Sequence, residues 1–323
     1  MHEHGRIGED VICALAGAAG DDNVVLAEPM AKHTTFRIGG PADVMVSPRS
    51  IDACAASLDV CAQAGIPVLI VGNGSNLLVG DRGIRGVVIR MRENLDAISV
   101  DDTRIRAEAG ALLSDVARVA ESESLTGFEP ISGIPATVGG ACFMNAGAYG
   151  SSTGEVLESV TAYVPGDSGN RGLDPDSRKR GSVVEIARAD LELDYRSSRV
   201  SREGLIVLAA TFALDRGESA AIRAAMRDFR MQRERKQPLD VPSAGSTFRR
   251  PPGRFAGKLI MDAGLRGTCV GGARVSDKHC GFVVNADRAT AADVCALMAL
   301  VQKRVKRSFG VDLEPEIRRV GEF

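Results

Sequence analysis

Two glycine-rich segments carry the clearest chemical signal in this chain. Gly72-Asn-Gly-Ser-Asn-Leu-Leu78 follows the apolar run Val68-Leu-Ile-Val71, and about sixty residues later comes Gly133-Ile-Pro-Ala-Thr-Val-Gly-Gly-Ala-Cys-Phe-Met-Asn-Ala-Gly-Ala-Tyr-Gly150. Small residues at this density let backbone N–H groups approach a ligand closely. The pair points to one large phosphate-bearing ligand held by backbone from two places. Common nucleotide motifs fit poorly. Gly72-x-Gly74 meets Leu77 where a Rossmann fingerprint wants its third glycine, and Gly253-Arg-Phe-Ala-Gly-Lys258 is too short for a Walker A loop. His279 and Cys280 are adjacent, so on an extended segment they point to opposite faces and form no dyad.

The elements that must position these segments follow from hydrophobic spacing. After a loose leader and an alanine-rich helix within residues 1–30, Thr34–Ala42 reads as a strand running into a Gly39-Gly40-Pro41 breaker. Val44–Val46 reads as a short strand. Ser50 caps a helix over 51–64 with Ile51, Cys54, Leu58 and Cys61 on one face, and Pro67–Val71 resumes as a strand. This β–α–β unit predicts a parallel pair. Residues 83–110 alternate short apolar runs (87–89, 98–100 and Ile105) with turns, then comes a helix from Ser114 to about 122 with Val116, Val119 and Ala120 inward. Val160–Val164 and Leu205–Ala213 read as strands, and the polar stretch 165–182 as an exposed loop without catalytic duty. Helix 218–235 bridges to a second unit beginning at Gln237. There Thr290 caps a helix with Ala292, Val294, Cys295, Leu297, Met298, Val301 and Val305 on one face, stopped by Gly310.

At 44% apolar and 25% charged residues over 323 positions, the chain can bury a sizeable core and form two or three domains. Its net charge of −2 gives no attraction toward nucleic acid or an anionic membrane. Basic clusters lie at Arg178–Arg180, Arg227–Lys236 and Lys303–Arg307, and the two on predicted helices read as solvated faces. Seven cysteines without C-x-x-C spacing argue against a disulfide framework or a zinc site, and fit a reducing cytoplasm. The acidic N-terminus lacks the apolar region of a secretory signal, and no run approaches the ~20 apolar residues of a membrane span.

Several blocks resemble, in order, the UDP-N-acetylenolpyruvoylglucosamine reductase (UDP-N-acetylmuramate dehydrogenase) family. They are Thr35-Phe-Arg-Ile-Gly-Gly-Pro-Ala42, Gly72–Leu78, Gly133–Ala141, Asn145–Gly150, Tyr195-Arg-Ser197, Gln237-Pro-Leu239, Pro242–Phe248, Gly257–Ile260, Val275–His279 and Leu313–Glu316. The short distance from Arg196 to Gln237 resembles the family's shorter, second type. One departure stands out: the family's Ile-Pro-Gly-Ser-Val-Gly-Gly is here Ile134-Pro-Ala-Thr-Val-Gly-Gly140. Thr137 keeps the hydroxyl, and Ala136 demands a backbone that accepts a Cβ.

The resemblance implies an α+β fold of the vanillyl-alcohol-oxidase-like (PCMH-type) flavoproteins. Its organisation would be an N-terminal segment 1–29, an FAD-binding domain 30–215 with subdomains about 30–92 and 93–215, and a C-terminal α+β substrate-binding domain 216–323. FAD would be held by Arg37, Gly72, Asn73, Gly74, Ser75, Asn76, Leu77, Ile131, Thr137, Val138, Gly139, Gly140, Asn145, Gly147, Ala148 and Tyr149. NADPH would reduce the flavin, and reduced flavin would pass hydride to the enolpyruvyl double bond of a UDP-sugar. Arg196 and Glu316 would stabilise charge developing on the substrate carboxylate and Ser246 would donate the proton, with Glu314 the rival to Glu316. Tyr195, Arg233, Arg250 and Lys258 would contact the substrate, the arginines matching phosphate oxygens. The resemblance further implies a cytoplasmic monomer in peptidoglycan precursor synthesis, with no metal, nucleic acid or membrane partner. Two other readings compete: a flavin oxidase of the same fold using O₂ on a small alcohol or sugar, and a nucleotide-sugar binder without turnover.

Overall fold

A computed structural model describes residues 7–166 and 181–323. The expected loop 165–182 and the Arg178–Arg180 cluster lie largely or wholly outside the described residues. The chain divides into two compact units. The first comprises Met1–Leu26, Val44–Asn73 and Gly86–Met231, and the second Ala27–Asp43, Gly74–Arg85 and Gln232–Phe323.

A four-stranded sheet has the order Val24–Pro29, Pro41–Val46, Ile84–Arg90, Val68–Val71. Ser50 caps the helix Ile51–Gln63 as its sequence predicts, its side chain accepting from Ala53 N at 3.1 Å. Cys54, Leu58 and Cys61 are buried and join Leu15 of helix Glu9–Ala19 in one core. The expected parallel pair exists, but with a different partner. Val68–Val71 runs parallel to Ile84–Arg90 (Val68 opposite Val87, Ile70 opposite Ile89), which lies between it and Pro41–Val46. Val87, Val88 and Ile89 are all fully buried, the pattern of an interior strand covered on both faces.

The first unit also holds an antiparallel five-stranded sheet, ordered Ser182–Ala187, Leu157–Val164, Ile206–Ala213, Arg104–Glu108, Ile98–Asp101. Its core includes the edge-to-face pair Phe128 and Phe212, with ring centroids 5.2 Å apart. Helix Leu113–Ser122 covers this core with Val116 and Ala120. The glycine-rich segment contains a helix that its composition concealed, Val138–Met144, which buries Val138, Ala141 and Cys142. Packing of that face overrides the low propensity of Gly139 and Gly140.

In the second unit, Ser243–Ser246, Phe282–Asn285, Ala273–Val275 and Cys269–Val270 form an antiparallel sheet in that order. Helix Ala291–Phe309 covers it with Val294, Leu297, Met298, Val301 and Val305. Thr290 and Asp293 form a full capping box, and Gly310 ends the helix at φ 69°. Ala291 rather than the exposed Ala292 joins the buried face.

Two local expectations fail for a stated reason. Thr34–Ile38 is not a strand: Phe36 and Ile38 are buried around an exposed Arg37, which imitates strand alternation, but Arg37 sits at φ 55° in a turn closed by Arg37 N to Thr34 O at 3.1 Å. Pro41 then opens the strand, a position where its missing N–H costs little. His279 and Cys280 lie in a turn, not an extended segment. The His279 Nδ1 accepts from Gly281 N at 3.1 Å and the ring stands edge-on to Phe282, while burial holds its pKa below the ordinary histidine value.

The cysteines are all free. Burial pushes the thiols of Cys54 and Cys142 up to about 12 and that of Cys61 to about 11. These three stay thiols at neutral and mildly alkaline pH and react slowly. A thiol reagent at pH 8 is expected to label exposed Cys13 and Cys269 in the native protein, and Cys54, Cys61 and Cys142 only after denaturation. Peptide mapping of the adducts checks this; rapid native labelling of Cys142 would contradict the packing of helix Val138–Met144.

Candidate active site

The two glycine-rich segments meet within the first unit. Asn73 Nδ2 donates to Pro135 O at 2.8 Å, and a Cβ built on Gly72 would lie 2.1 Å from Thr137 Oγ1 and 3.2 Å from both Thr137 Cβ and Cγ2. Gly72 is therefore the price of admitting Thr137. Asn73 Oδ1 also accepts from Arg92 Nη1. Sequence reading missed Arg92, which lies just past the buried strand Ile84–Arg90 and bears no local mark of its partner. Thr137, 1% exposed, caps helix Val138–Met144. Ala136 is absent from the residues with positive φ, so its backbone accepts the Cβ that the sequence departure requires.

Backbone N–H groups at the start of helix Val138–Met144 are already paired. Val138 N donates to Ala111 O at 2.8 Å and Gly139 N to Ala109 O at 2.9 Å. What these residues can offer a cofactor is the closeness of bare backbone. A Cβ on Gly140 would meet only Thr137 Oγ1, at 3.6 Å, so this residue presents an open surface. Gly147–Ala148 pairs with Ser151–Ser152 in a small hairpin. Tyr149, at φ 54°, rests on Phe229 with ring centroids 4.9 Å apart and donates to Phe229 O at 3.2 Å. Ile131 is buried in the core of the first unit, so its side chain serves packing.

Asn145 ends the short helix in a left-handed conformation, φ 41°. Nearby stands the turn Asp194–Ser197, where Arg196 lies at φ 53°. Arg196 Nη2 donates to Gly147 O at 3.2 Å, and its Cζ lies 5.0 Å from the centroid of the exposed Tyr195 ring.

In the second unit the continuation of the first loop is equally constrained. Gly74 has φ 60°, and a Cβ there would lie 2.2 Å from His33 O. Ser75 and Leu77 are half-buried, and Leu77 N donates to Gly74 O at 3.4 Å. Asn76 Nδ2 donates to Glu316 O at 3.3 Å, and Asn76 O accepts from Arg318 N at 2.8 Å. These bonds start the parallel pairing of Leu77–Val79 with Arg318–Val320.

The structure brings Ser246 and Glu316 to neighbouring positions in this unit. Ser246 ends its strand opposite Phe282, after an irregularity at Gly245 (φ 75°), and is exposed. The next residue, Thr247, accepts at its carbonyl from Glu316 N at 2.9 Å, and Arg249 N donates to Glu314 O at 2.8 Å. An antiparallel ladder thus sets half-buried Glu316 across from Thr247, with exposed Glu314 two residues further away beside Arg249. Four cationic candidates lie in this unit. Arg37 lines a cavity of about 540 Å³ together with Asp81, Asn285 and Arg288. Arg233 lies in the last turn of helix Ser219–Lys236. Arg250 stacks on Phe255 at 4.5 Å, and Lys258 pairs with Asp262 at 2.7 Å across an exposed helix turn. A surface pair of that kind contributes at most about 1 kcal/mol. Among the described residues no cluster of His, Cys, Asp and Glu could hold a metal, and no helix is long and apolar enough to cross a membrane.

Known protein families match this chain over two stretches. Residues 42–167 match the family described as "FAD binding domain", which makes the chain a flavoprotein of the FAD-binding oxidoreductase class with an α+β fold. Residues 237–320 match "UDP-N-acetylenolpyruvoylglucosamine reductase, C-terminal domain". The chain is 45% identical over 316 residues to the UDP-N-acetylenolpyruvoylglucosamine reductase of Lachnoclostridium phytofermentans, covering 97% of each chain. It is 47% identical over 302 residues to that of Caldanaerobacter subterraneus, covering 94% of this chain and 95% of the relative. The crystal structure of the Thermus caldophilus UDP-N-acetylenolpyruvylglucosamine reductase superposes with a TM-score of 0.73 at 31% identity, over 92% of this chain and 98% of that one. The chain belongs to the UDP-N-acetylenolpyruvoylglucosamine reductase family and is an oxidoreductase.

Proposed function

We propose that the protein reduces UDP-N-acetylglucosamine enolpyruvate to UDP-N-acetylmuramate with NADPH, in peptidoglycan precursor synthesis in the cytoplasm. The observation that carries this reading is the Thr247–Glu316 ladder, whose backbone pairing places Glu316 across from the residue next to Ser246. FAD fits the residues present: Gly72 and Gly140 leave bare backbone beside Thr137, and Gly74 adopts a conformation only glycine holds easily. When bound, FAD supplies the hydride transfer from NADPH to the enolpyruvyl double bond.

The chain's own residues do the rest. The backbone of 72–77, 137–140, 145 and 147–149, with Arg37 and Ile131, forms or supports the FAD site. Arg196 and Glu316 face the substrate carboxylate, where negative charge develops as hydride adds to the double bond. Ser246 Oγ gives its proton to the adjacent carbon. A serine hydroxyl is a weak acid, so this transfer needs the strongly basic centre that hydride addition creates. The register favours Glu316 over Glu314, because Glu316 lies across from the residue next to Ser246. Tyr195, Arg233, Arg250 and Lys258 bind the nucleotide-sugar, the arginines by forked contact with diphosphate oxygens. The proposed division of labour is FAD binding in 30–215 and substrate binding in 216–323, in a monomer.

Steady-state assay of the purified, flavin-loaded protein tests this. NADPH oxidation should depend on the enolpyruvyl sugar and yield its lactyl product. Peroxide release with a small alcohol or sugar instead, and no use of the enolpyruvyl sugar, would replace this reading with an oxidase.

A further inference from the structure

The turn that carries Arg196 has a rigid backbone. Asp194 N donates to Ser197 O at 3.0 Å, Ser197 N to Asp194 O at 3.2 Å, and Tyr195 N to Asp194 Oδ1 at 2.7 Å. Such a turn fixes its own shape but not its orientation in the protein. Orientation comes from the C-terminal end of helix Val138–Met144. Ser198 Oγ donates to Phe143 O at 2.8 Å, Asn145 Nδ2 to Asp194 O at 3.1 Å, and Arg196 Nη2 to Gly147 O at 3.2 Å. The other end of the Asn145 amide, Oδ1, accepts from Gly154 N at 2.9 Å, and the residue is 9% exposed. Each end of this side chain therefore holds one bond inside the protein.

We propose that Asn145 is a positioning residue for catalysis: its amide fastens the 194–197 turn to the helix end and so aims the Arg196 guanidinium, without touching FAD. The inference rests on the reading of Arg196 as the cation that faces the substrate carboxylate. The site demands this residue type. One end must donate to a carbonyl and the other must accept from an N–H, which aspartate and leucine cannot both do. The left-handed backbone further favours asparagine, aspartate or glycine over other residues. Misplacement of a charge-stabilising group by about 1 Å can cost on the order of 10²-fold in rate.

The test uses the full-length, FAD-loaded protein and two variants. Asn145→Asp keeps the acceptor for Gly154 N and loses the donor to Asp194; Asn145→Gly keeps the backbone conformation and loses both bonds. Rapid mixing separates flavin reduction by NADPH from flavin reoxidation by UDP-N-acetylglucosamine enolpyruvate. Reoxidation should slow about 10- to 100-fold in both variants, with FAD affinity and reduction by NADPH as in the wild type. In an Arg196→Ala background, Asn145→Asp should add less than about two-fold, because the two residues act as one unit. Additive losses in the double variant would overturn the inference, as would weakened FAD binding in both Asn145 variants. Wild-type reoxidation in the Asn145 variants alone would sink this inference only. Wild-type reoxidation in Arg196→Ala would remove the reading of Arg196 and the inference with it.

Discussion

Ser246→Ala is expected to lose about 10²–10⁴-fold in the rate at which the enolpyruvyl sugar reoxidises reduced flavin, while NADPH reduces the flavin at the wild-type rate. The size follows from removing the group proposed as the general acid. The residue is exposed at a strand end, so the missing hydroxyl leaves no cavity and no orphaned partner. A global structural cause would move both half-reactions together. Its neighbour makes a sharp control. Thr247 is 2% exposed and its Oγ1 accepts from Val283 N at 2.9 Å, so Thr247→Ala should cost about 1–3 kcal/mol of stability through a buried, unpaired N–H. Denaturant unfolding and single-turnover mixing of the two variants distinguish a chemical hydroxyl from a structural one. Equal reoxidation rates in Ser246→Ala and the wild type would remove Ser246 from the mechanism.

The second large effect is at Gly72. Adding one methyl group forces contact with Thr137 from every rotamer, since Thr137 Oγ1, Cβ and Cγ2 all lie within 3.2 Å of the new atom. Thr137 is buried and caps helix Val138–Met144, so it cannot retreat without loosening that helix. Gly72→Ala is expected to cost about 1–3 kcal/mol and to weaken FAD retention markedly. Thr137→Ala deletes Oγ1 and Cγ2, so the double variant should recover part of the loss even though Thr137→Ala alone costs about 1 kcal/mol as a lost cap. Thermal unfolding and the flavin-to-protein ratio read this compensation. Strictly additive losses would mean that the two segments do not meet.

Local chemistry was legible without coordinates. Ser50, Thr290 and Gly310 act as caps because capping is settled within a few residues. The order of blocks gave the family. Long-range facts were not legible. The neighbour of Val68–Val71 is Ile84–Arg90, a choice made by burial of that strand on both faces. Arg37 imitated a strand because two buried neighbours flank it, whereas its φ of 55° belongs to a turn. Helix Val138–Met144 was hidden because tertiary packing of Val138, Ala141 and Cys142 outweighs two glycines. The N–H groups of Val138 and Gly139 at its start are taken by Ala111 and Ala109, which no linear reading could place there. Asn145 stood out in the family blocks, but only the structure shows both ends of its amide engaged.

The most direct measurement of the central claim is anaerobic. The purified protein should be yellow, bleach on addition of one equivalent of NADPH, and regain its colour when UDP-N-acetylglucosamine enolpyruvate is added in the absence of oxygen. A protein that binds no flavin, or whose reduced flavin stays bleached in the presence of that sugar, would contradict the account.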